Sequence, residues 1–493
     1  MTTVATDYEV VIGLEVHAQL LTRSKMFCGC SAEYSAAPPN THVCPVCLGM
    51  PGVLPVINRR AVELTIMTAL ALDCEIPEQS KFDRKNYHYP DLMKGYQVSQ
   101  YDLPLSRDGW LTIETEEGER RVGVTRVHLE EDTARLTHVD GPDGSFSLVD
   151  VNRSGVPLME IVSEPDMRSP EEARLYLVKL RQVLRYAGVS LANMEEGNFR
   201  CDANVSLRPR GSSSLGVKVE VKNMNSFRSV QRALEYEVER QTRLLDGGEA
   251  VVQETRGWVE SEGKTVSQRS KEYAHDYRYF PEPDLPPMQV NRELVSRLRA
   301  ALPELPDEKR RRFEEAYGLT RYEAELLVES RARADYHEAA VAASGLRGDA
   351  RLQRAKQVAN WMLGDMARLQ NAQNVDIEAV RIQPEQLGQL VAMVEGGQIT
   401  GRSAKAVFER MWREGRSPHE IVAEEGLAQI SGVDELRGIV ERVIAASDRA
   451  VADYRAGKTE AVQFLVGQVM KQTKGRANPG TVRDLLLEIL QNG

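Results

Sequence analysis

Two periodicities divide the chain. Up to the Pro-rich run Phe280-Pro-Glu-Pro-Asp-Leu-Pro-Pro287, several segments alternate polar and apolar residues one by one; beyond it, apolar residues recur at helical spacing. In Cys201-Asp-Ala-Asn-Val-Ser-Leu207, Asp202, Asn204 and Ser206 fall on one face of a strand and Ala203, Val205 and Leu207 on the other. Val217-Lys-Val-Glu-Val-Lys222 repeats the pattern, with Lys218, Glu220 and Lys222 on one side. Such strands suit an antiparallel sheet with one apolar and one polar face. Between strands, Ser169-Pro-Glu-Glu172 predicts a helix start with a Ser cap, Pro in the first turn and Glu172 closing a capping box. Ala173, Leu177, Leu180, Leu184 and Ala187 then form an apolar stripe that Gly188 ends.

After the Pro-rich run, strand signals nearly vanish. Leu387, Leu390, Val391 and Val394 make one helical stripe, and Leu436, Ile439, Val440, Val443 and Ile444 make another. These patterns predict an α+β region over 1–290, a helical domain over 291–410 and a helical tail over 411–493.

Length agrees with several domains, since 493 residues exceed what one compact core holds. The formal net charge of −10 argues against non-specific coating of nucleic acid, but leaves room for a local basic patch. No apolar run reaches the roughly 20 residues of a membrane span, and the Met-Thr-Thr-Val start shows no secretory pattern. A cytoplasmic protein without membrane association is expected.

Two groups of residues carry candidate chemistry. Cys28-Gly-Cys30 and Cys44-Pro-Val-Cys47 are closely spaced thiol pairs that can close a tetrahedral, structural Zn²⁺ site over 28–47. Cys74 and Cys201 have no partners in sequence and read as core thiols. The second group is acidic. Glu15 and His17 leave one face of a strand, Val122–Asp132 is a strand candidate ending in Glu130-Glu131-Asp132, and Glu160 is a lone acid in the apolar run Leu158-Met-Glu-Ile-Val162. A buried lone acid is costly unless paired or bound to a metal. Taken singly, the acidic run fits a solvated strand end, His17 fits a scaffold histidine, and Glu160 could pair with Arg153. In combination they suggest a site for a hard divalent cation.

The blocks Glu15-Val-His17, Ser80–Tyr87, His128-Leu-Glu-Glu-Asp132, Asp150–Glu160, Asn198–Asn204, Asp276–Asp284 and Phe464–Met470 with Asn478-Pro479 resemble, in order and over nearly the whole chain, the GatB/GatE family of the tRNA-dependent amidotransferases. The resemblance implies a cradle related to the glutamine-synthetase-like fold, followed by all-α helical and YqeY-like tail domains. It implies a glutamine-dependent carbon–nitrogen ligase that uses ATP to activate the side-chain carboxylate of misacylated Glu-tRNA(Gln) or Asp-tRNA(Asn) and then amidates it. It further implies that His17, Glu131 and Glu160 hold Mg²⁺, or Mn²⁺ in its place, with Glu15 and Glu130 near a second ion. Lys81, Arg84, Lys85 and Arg153 are candidates to hold phosphate oxygens, or else surface ion-pair partners. Asp202, Asn204, Lys218 and Lys222 would line the same cradle. No cysteine sits in a recognisable nucleophile motif, so ammonia is expected from a separate glutaminase. In the family this is the amidase partner, joined by a small third protein in a heterotrimer. Lys471, Lys474 and Arg476 would meet tRNA phosphates, or simply complement a helix end. Two rivals stay open from sequence: a zinc-containing RNA-binding adaptor without catalysis, and a stand-alone ligase acting on a free amino acid.

Overall fold

The computed structural model describes residues 7–141, 144–270, 277–429, 433–473 and 475–492. Compact units cover 1–305 and 306–493. The first is built on an eight-stranded sheet made, in chain order, of β1 (Tyr8–Gln19), β2 (Ser106–Thr115), β3 (Gly118–Glu131), β4 (Pro157–Ser163), β5 (Phe199–Pro209), β6 (Val219–Lys222), β7 (Glu254–Val259) and β8 (Lys264–Ser270). The spatial order is β8-β7-β6-β5-β1-β4-β3-β2, and every neighbouring pair is antiparallel except β6 and β7.

The alternation read from sequence has physical consequences here. Cys201, Ala203, Val205 and Leu207 of β5 are buried in the core, as are Ile12, Leu14 and Val16 of β1 and Met159 and Ile161 of β4. Helices α1 (Arg59–Ala71), α2 (Pro170–Tyr186) and α3 (Phe227–Asp246) supply the apolar residues that join them in one core. Helix α2 starts as predicted: the Ser169 hydroxyl accepts from Glu172 N at 3.1 Å, and Gly188 takes the left-handed φ of +66° just past its end. The expected capping box forms only in part. Glu172 turns its carboxylate to the Arg168 amide (2.7 Å) and the Arg120 guanidinium (2.7 Å), because the chain before the cap brings both within reach.

The first unit runs past residue 290. Leu285, Val290, Val295 and Leu298 join its core, the last two from α4 (Arg292–Ala301), which packs on α1, and the division falls between Leu305 and Pro306. In the second unit, Leu387, Leu390 and Val391 are buried as their stripe requires. The expected edge at 410 falls inside the helix Gly401–Glu414, where Met411 and Trp412 are buried. A separate apolar cluster gathers Leu436, Val440, Val443, Leu465, Val469, Val482 and Leu486 from the last helices.

Candidate functional site

The polar face of the sheet forms the floor of a cavity of about 620 Å³ in the first unit. Strand register places its groups in rows. Arg200, His17, Glu160 and His128 stand side by side on β5, β1, β4 and β3. A second row holds Asp202, Glu15, Val162 and Arg126, and a third holds Gln19, Leu158 and Glu130. A small sheet beside the floor, in which Asp83–Asn86 pairs with Tyr96–Ser99 and with Phe280–Pro281, brings Lys85, Tyr87, Gln97 and Tyr279 to the cavity wall.

At the centre, His17 Nε2 lies 3.4 Å from Glu130 Oε1 and 3.6 Å from Glu160 Oε2. His128 Nε2 lies 3.2 Å from the same Glu160 oxygen and 3.8 Å from Glu130 Oε2. His128 Nδ1 accepts from Arg126 Nε at 3.3 Å, so the proton on Nε2 faces the carboxylates. Burial would raise the Glu160 carboxyl, but His128, His17 and Lys85 hold it well below the usual carboxylate range. Burial would lower the His128 imidazole, but Glu160 and Glu130 raise it above its ordinary value. The ligand atoms of His17, Glu130 and Glu160 fall within 4.8 Å of one another. One imidazole and two carboxylates, two of the three buried, make a donor set that fits a divalent cation.

The four cysteines form the other cluster of ligand atoms, again within 4.8 Å of one another. Sulfurs bound about 2.3 Å from a central zinc lie roughly 3.8 Å apart in a tetrahedron. The Cys44–Cys47 separation is 3.8 Å, and all four thiols are free of disulfides. Hydrogen bonding from Cys28 and the charge of Lys25 draw the Cys47 thiol well below the usual range, as a metal-ligating thiolate requires. The quartet therefore fits a zinc ion with no open position.

Comparison with known proteins gives the frame. Residues 10–296 match the family described as GatB/GatE catalytic domain, and residues 348–490 match the one described as GatB domain. The chain belongs to the GatB/GatE family. Its relatives include proteins named as the B subunit of aspartyl/glutamyl-tRNA(Asn/Gln) amidotransferase. The one from Thermomicrobium roseum is 59% identical over 98% of this chain and 99% of the relative, and the one from Dehalococcoides mccartyi strain 195 is 55% identical over 99% and 100%. A third, from Roseiflexus castenholzii, is 56% identical over 97% and 98%.

Within this GatB/GatE cradle, one residue of the expected set stands apart from the other two. Glu131 points away from the cavity: its carboxylate takes Lys94 Nζ at 2.5 and 2.7 Å and Val98 N at 2.9 Å. Glu130 stands with His17 and Glu160 instead. The cause is an irregularity in β3 between Val124 and Arg126, which shifts the register against β4. Before it Val122 and Val124 face the core; after it Val127 and Leu129 do, so Arg126, His128 and Glu130 turn to the cavity. Glu15 is also separated from Glu130. It lies four residues, about 13 Å of strand, from the row that holds Glu130, and accepts from Asn204 Nδ2 at 2.9 Å.

Of the expected phosphate holders, Lys85 alone lines the cavity, its ammonium 5.0 Å from the centre of the Tyr277 ring. Lys81 is held by Asp83 and Asp102, Arg84 makes a two-pronged pair with Glu282 (2.7 Å each), and Arg153 donates to the Thr133 and Ala134 carbonyls at 2.9 Å. Asp202, Lys218 and Lys222 line the cavity, with Lys222 Nζ 2.5 Å from Asp202 Oδ2. Sequence alone did not single out His128, Arg126 and Arg200, although His128 and Glu130, two apart like Glu15 and His17, share the signal that found the latter pair. Arg200 is held by Asp132 at 3.1 Å, which keeps the guanidinium charged and raised in pKa. In the tail, Lys471 is exposed, Arg476 donates to the Gly426 and Thr473 carbonyls at 3.3 Å, and Lys474 lies outside the described residues.

Proposed function

We propose that this chain is the carboxylate-activating subunit of a tRNA-dependent amidotransferase. The observation that carries the reading is the central cluster: ligand atoms of His17, Glu130 and Glu160 gathered within 4.8 Å in a cavity also lined by Lys85, Arg200, Lys218 and Lys222. The substrate would be the side-chain carboxylate of Glu-tRNA(Gln) or Asp-tRNA(Asn), as in the names of the relatives.

A carboxylate does not exchange its oxygen for ammonia near neutral pH, because oxide is a poor leaving group. Transfer of the γ-phosphoryl group of ATP to the carboxylate, with loss of ADP, makes phosphate the leaving group. Ammonia then displaces phosphate and gives up a proton, leaving the amide on the tRNA. Divalent metal held by His17, Glu130 and Glu160 would neutralise the phosphoryl oxygens during the first transfer. His128 fixes one oxygen of Glu160, so that carboxylate keeps its orientation and charge. Lys85 and Arg200 add positive charge for the phosphates, and Asp132 and the tyrosine rings hold them in place. Glu15, Asp202, Lys218 and Lys222 form the far end of the cavity, where a substrate amino group or a second ion would be received.

A separate glutaminase of the amidase type supplies the ammonia, and a small third protein completes the heterotrimer. Burial pushes the Cys74 thiol up to about 12 and the Cys201 thiol well above its ordinary value, so neither offers a nucleophilic thiolate. The tail, through Lys471 and its neighbours, would contact tRNA phosphates, and the cytoplasm is the compartment where such tRNAs are made. No helix among the described residues is long and apolar enough to cross a membrane.

The test is ADP formation by the full complex with Mg²⁺, measured with Glu-tRNA(Gln), with uncharged tRNA and with free glutamate. Turnover with the charged tRNA alone is expected, and it is expected to vanish in Glu130→Gln. Equal turnover on free glutamate would make the chain a stand-alone ligase instead.

A further inference from the structure

Lys25 is one of the largest side chains enclosed completely, at 1% exposure. Its backbone is pinned on both sides: Lys25 N donates to Cys30 O at 2.9 Å and Met26 N to Gly155 O at 2.6 Å. Its ammonium donates to two carbonyls, His42 O at 2.9 Å and Val151 O at 3.3 Å, and no carboxylate among the described residues joins them. An enclosed ammonium whose hydrogen bonds go to carbonyl dipoles has no opposite charge in contact with it among the described residues. Two cysteines of the quartet are among the side chains beside it. Lys25, Cys28 and Cys47 line one small cavity of about 40 Å³, whose lining also holds Glu131 and Glu282, already paired with Lys94 and Arg84, and Asp284, and a Cβ built on Gly155 would lie 3.8 Å from Lys25 Cδ and 3.9 Å from Cys47 Cβ.

The charge missing around Lys25 is the charge in excess on the quartet. Four thiolates around one divalent ion leave a net charge of minus two in a half-buried site. We propose that Lys25 is the counter-ion of this metal–tetrathiolate cluster, so that the lysine and the bound ion stabilise one another. The inference rests on the reading that the quartet holds a metal. It also gives the cluster a reach beyond its own loop. Lys25 ties Val151 O, Gly155 N donates to Asp132 O at 2.9 Å, and Asp132 N donates to Val156 O at 2.8 Å. Asp132 in turn holds Arg200 on the cavity wall. The knuckle is thus a support for the 151–156 turn behind the cavity, with Lys25 as the strut.

The experiment compares the full chain with Lys25→Met and Lys25→Gln, the second keeping a donor for the two carbonyls. Zinc content is measured by elemental analysis, zinc affinity by competition with a chromophoric chelator, and folding by thermal unfolding. Wild type is expected to hold one zinc, and both variants to bind it about tenfold more weakly or worse, while Lys25→Arg recovers most of the loss. In a Cys44→Ser background the sign should turn: with the cluster gone, Lys25→Met should raise the melting temperature. A folded Lys25→Met or Lys25→Gln chain with wild-type zinc affinity overturns the counter-ion role alone. A wild-type chain that takes up no zinc overturns the quartet reading and the inference with it.

Discussion

Two histidines show how differently the halves of this chain use burial. His128, in the cradle, is 2% exposed and His337, in the helical unit, is 0% exposed. His128 faces Glu160 and Glu130, and its imidazole is raised above its ordinary value against the cost of burial. His337 packs against the rings of Phe313 and Tyr317, with its Nε2 3.0 Å from Ala355 O, and burial pushes it down to about 4. One is a partner of carboxylates in a polar floor and the other a piece of apolar core. Burial alone therefore does not fix the direction in which a histidine is shifted; the company of carboxylates across strands reverses it.

The comparison can be broken most decisively in the cradle. Glu160→Gln removes the carboxylate that both His17 and His128 face, and ATP-dependent activation of the charged tRNA should fall about a thousandfold or more in single-turnover assays. Glu131→Gln, one residue along from Glu130 but on the core side, should leave that rate within about tenfold and lower stability by about 3 kcal/mol in denaturant titrations, because Lys94 loses its partner. Equal rate losses in Glu130→Gln and Glu131→Gln would erase the distinction that the strand irregularity creates.

The helical unit sharpens the same contrast through pH. Unfolded, His337 takes up a proton near pH 6.5; folded, only near 4. Between those values the unfolded chain binds more protons, so the stability of this unit should decline as pH falls, by about 3 kcal/mol in all. His337→Leu should flatten that part of the curve, and an unchanged slope would refute the assignment. The smallest effect expected is at the back of the sheet, where Ser169→Ala should cost about 1 kcal/mol by removing the cap of α2, with no change in catalytic rate.

Much of this was legible in sequence, for a physical reason. A strand with one face buried must alternate, so the faces of β5 and the pairing of Glu15 with His17 could be read directly. The spacing of the cysteine pairs likewise foretold a cluster. What could not be read was any break in that alternation. Thr125 sits where β3 changes parity against β4; the resemblance implied Glu131, and an unbroken alternation from Val122 and Val124 would have agreed, but the shift turns Glu130 to the cavity. The cations differ for another reason: Asp83, two residues from Lys81, could have been read as its partner, but Glu282 for Arg84 is distant in sequence and the Thr133 and Ala134 carbonyls that hold Arg153 are unmarked by it. The edge at 305 was hidden because α4 has the composition of the helices beyond it yet packs on α1.

The central row draws Arg200, His17, Glu160 and His128 from four strands that lie far apart along the chain. None of these strands carries the reactive set by itself, and a slip of a single residue in either β1 or β4 would turn its member of the row toward the core. For the proposed activation step, competence is thus an all-or-none property of the finished sheet: a partly folded chain has no half-built centre.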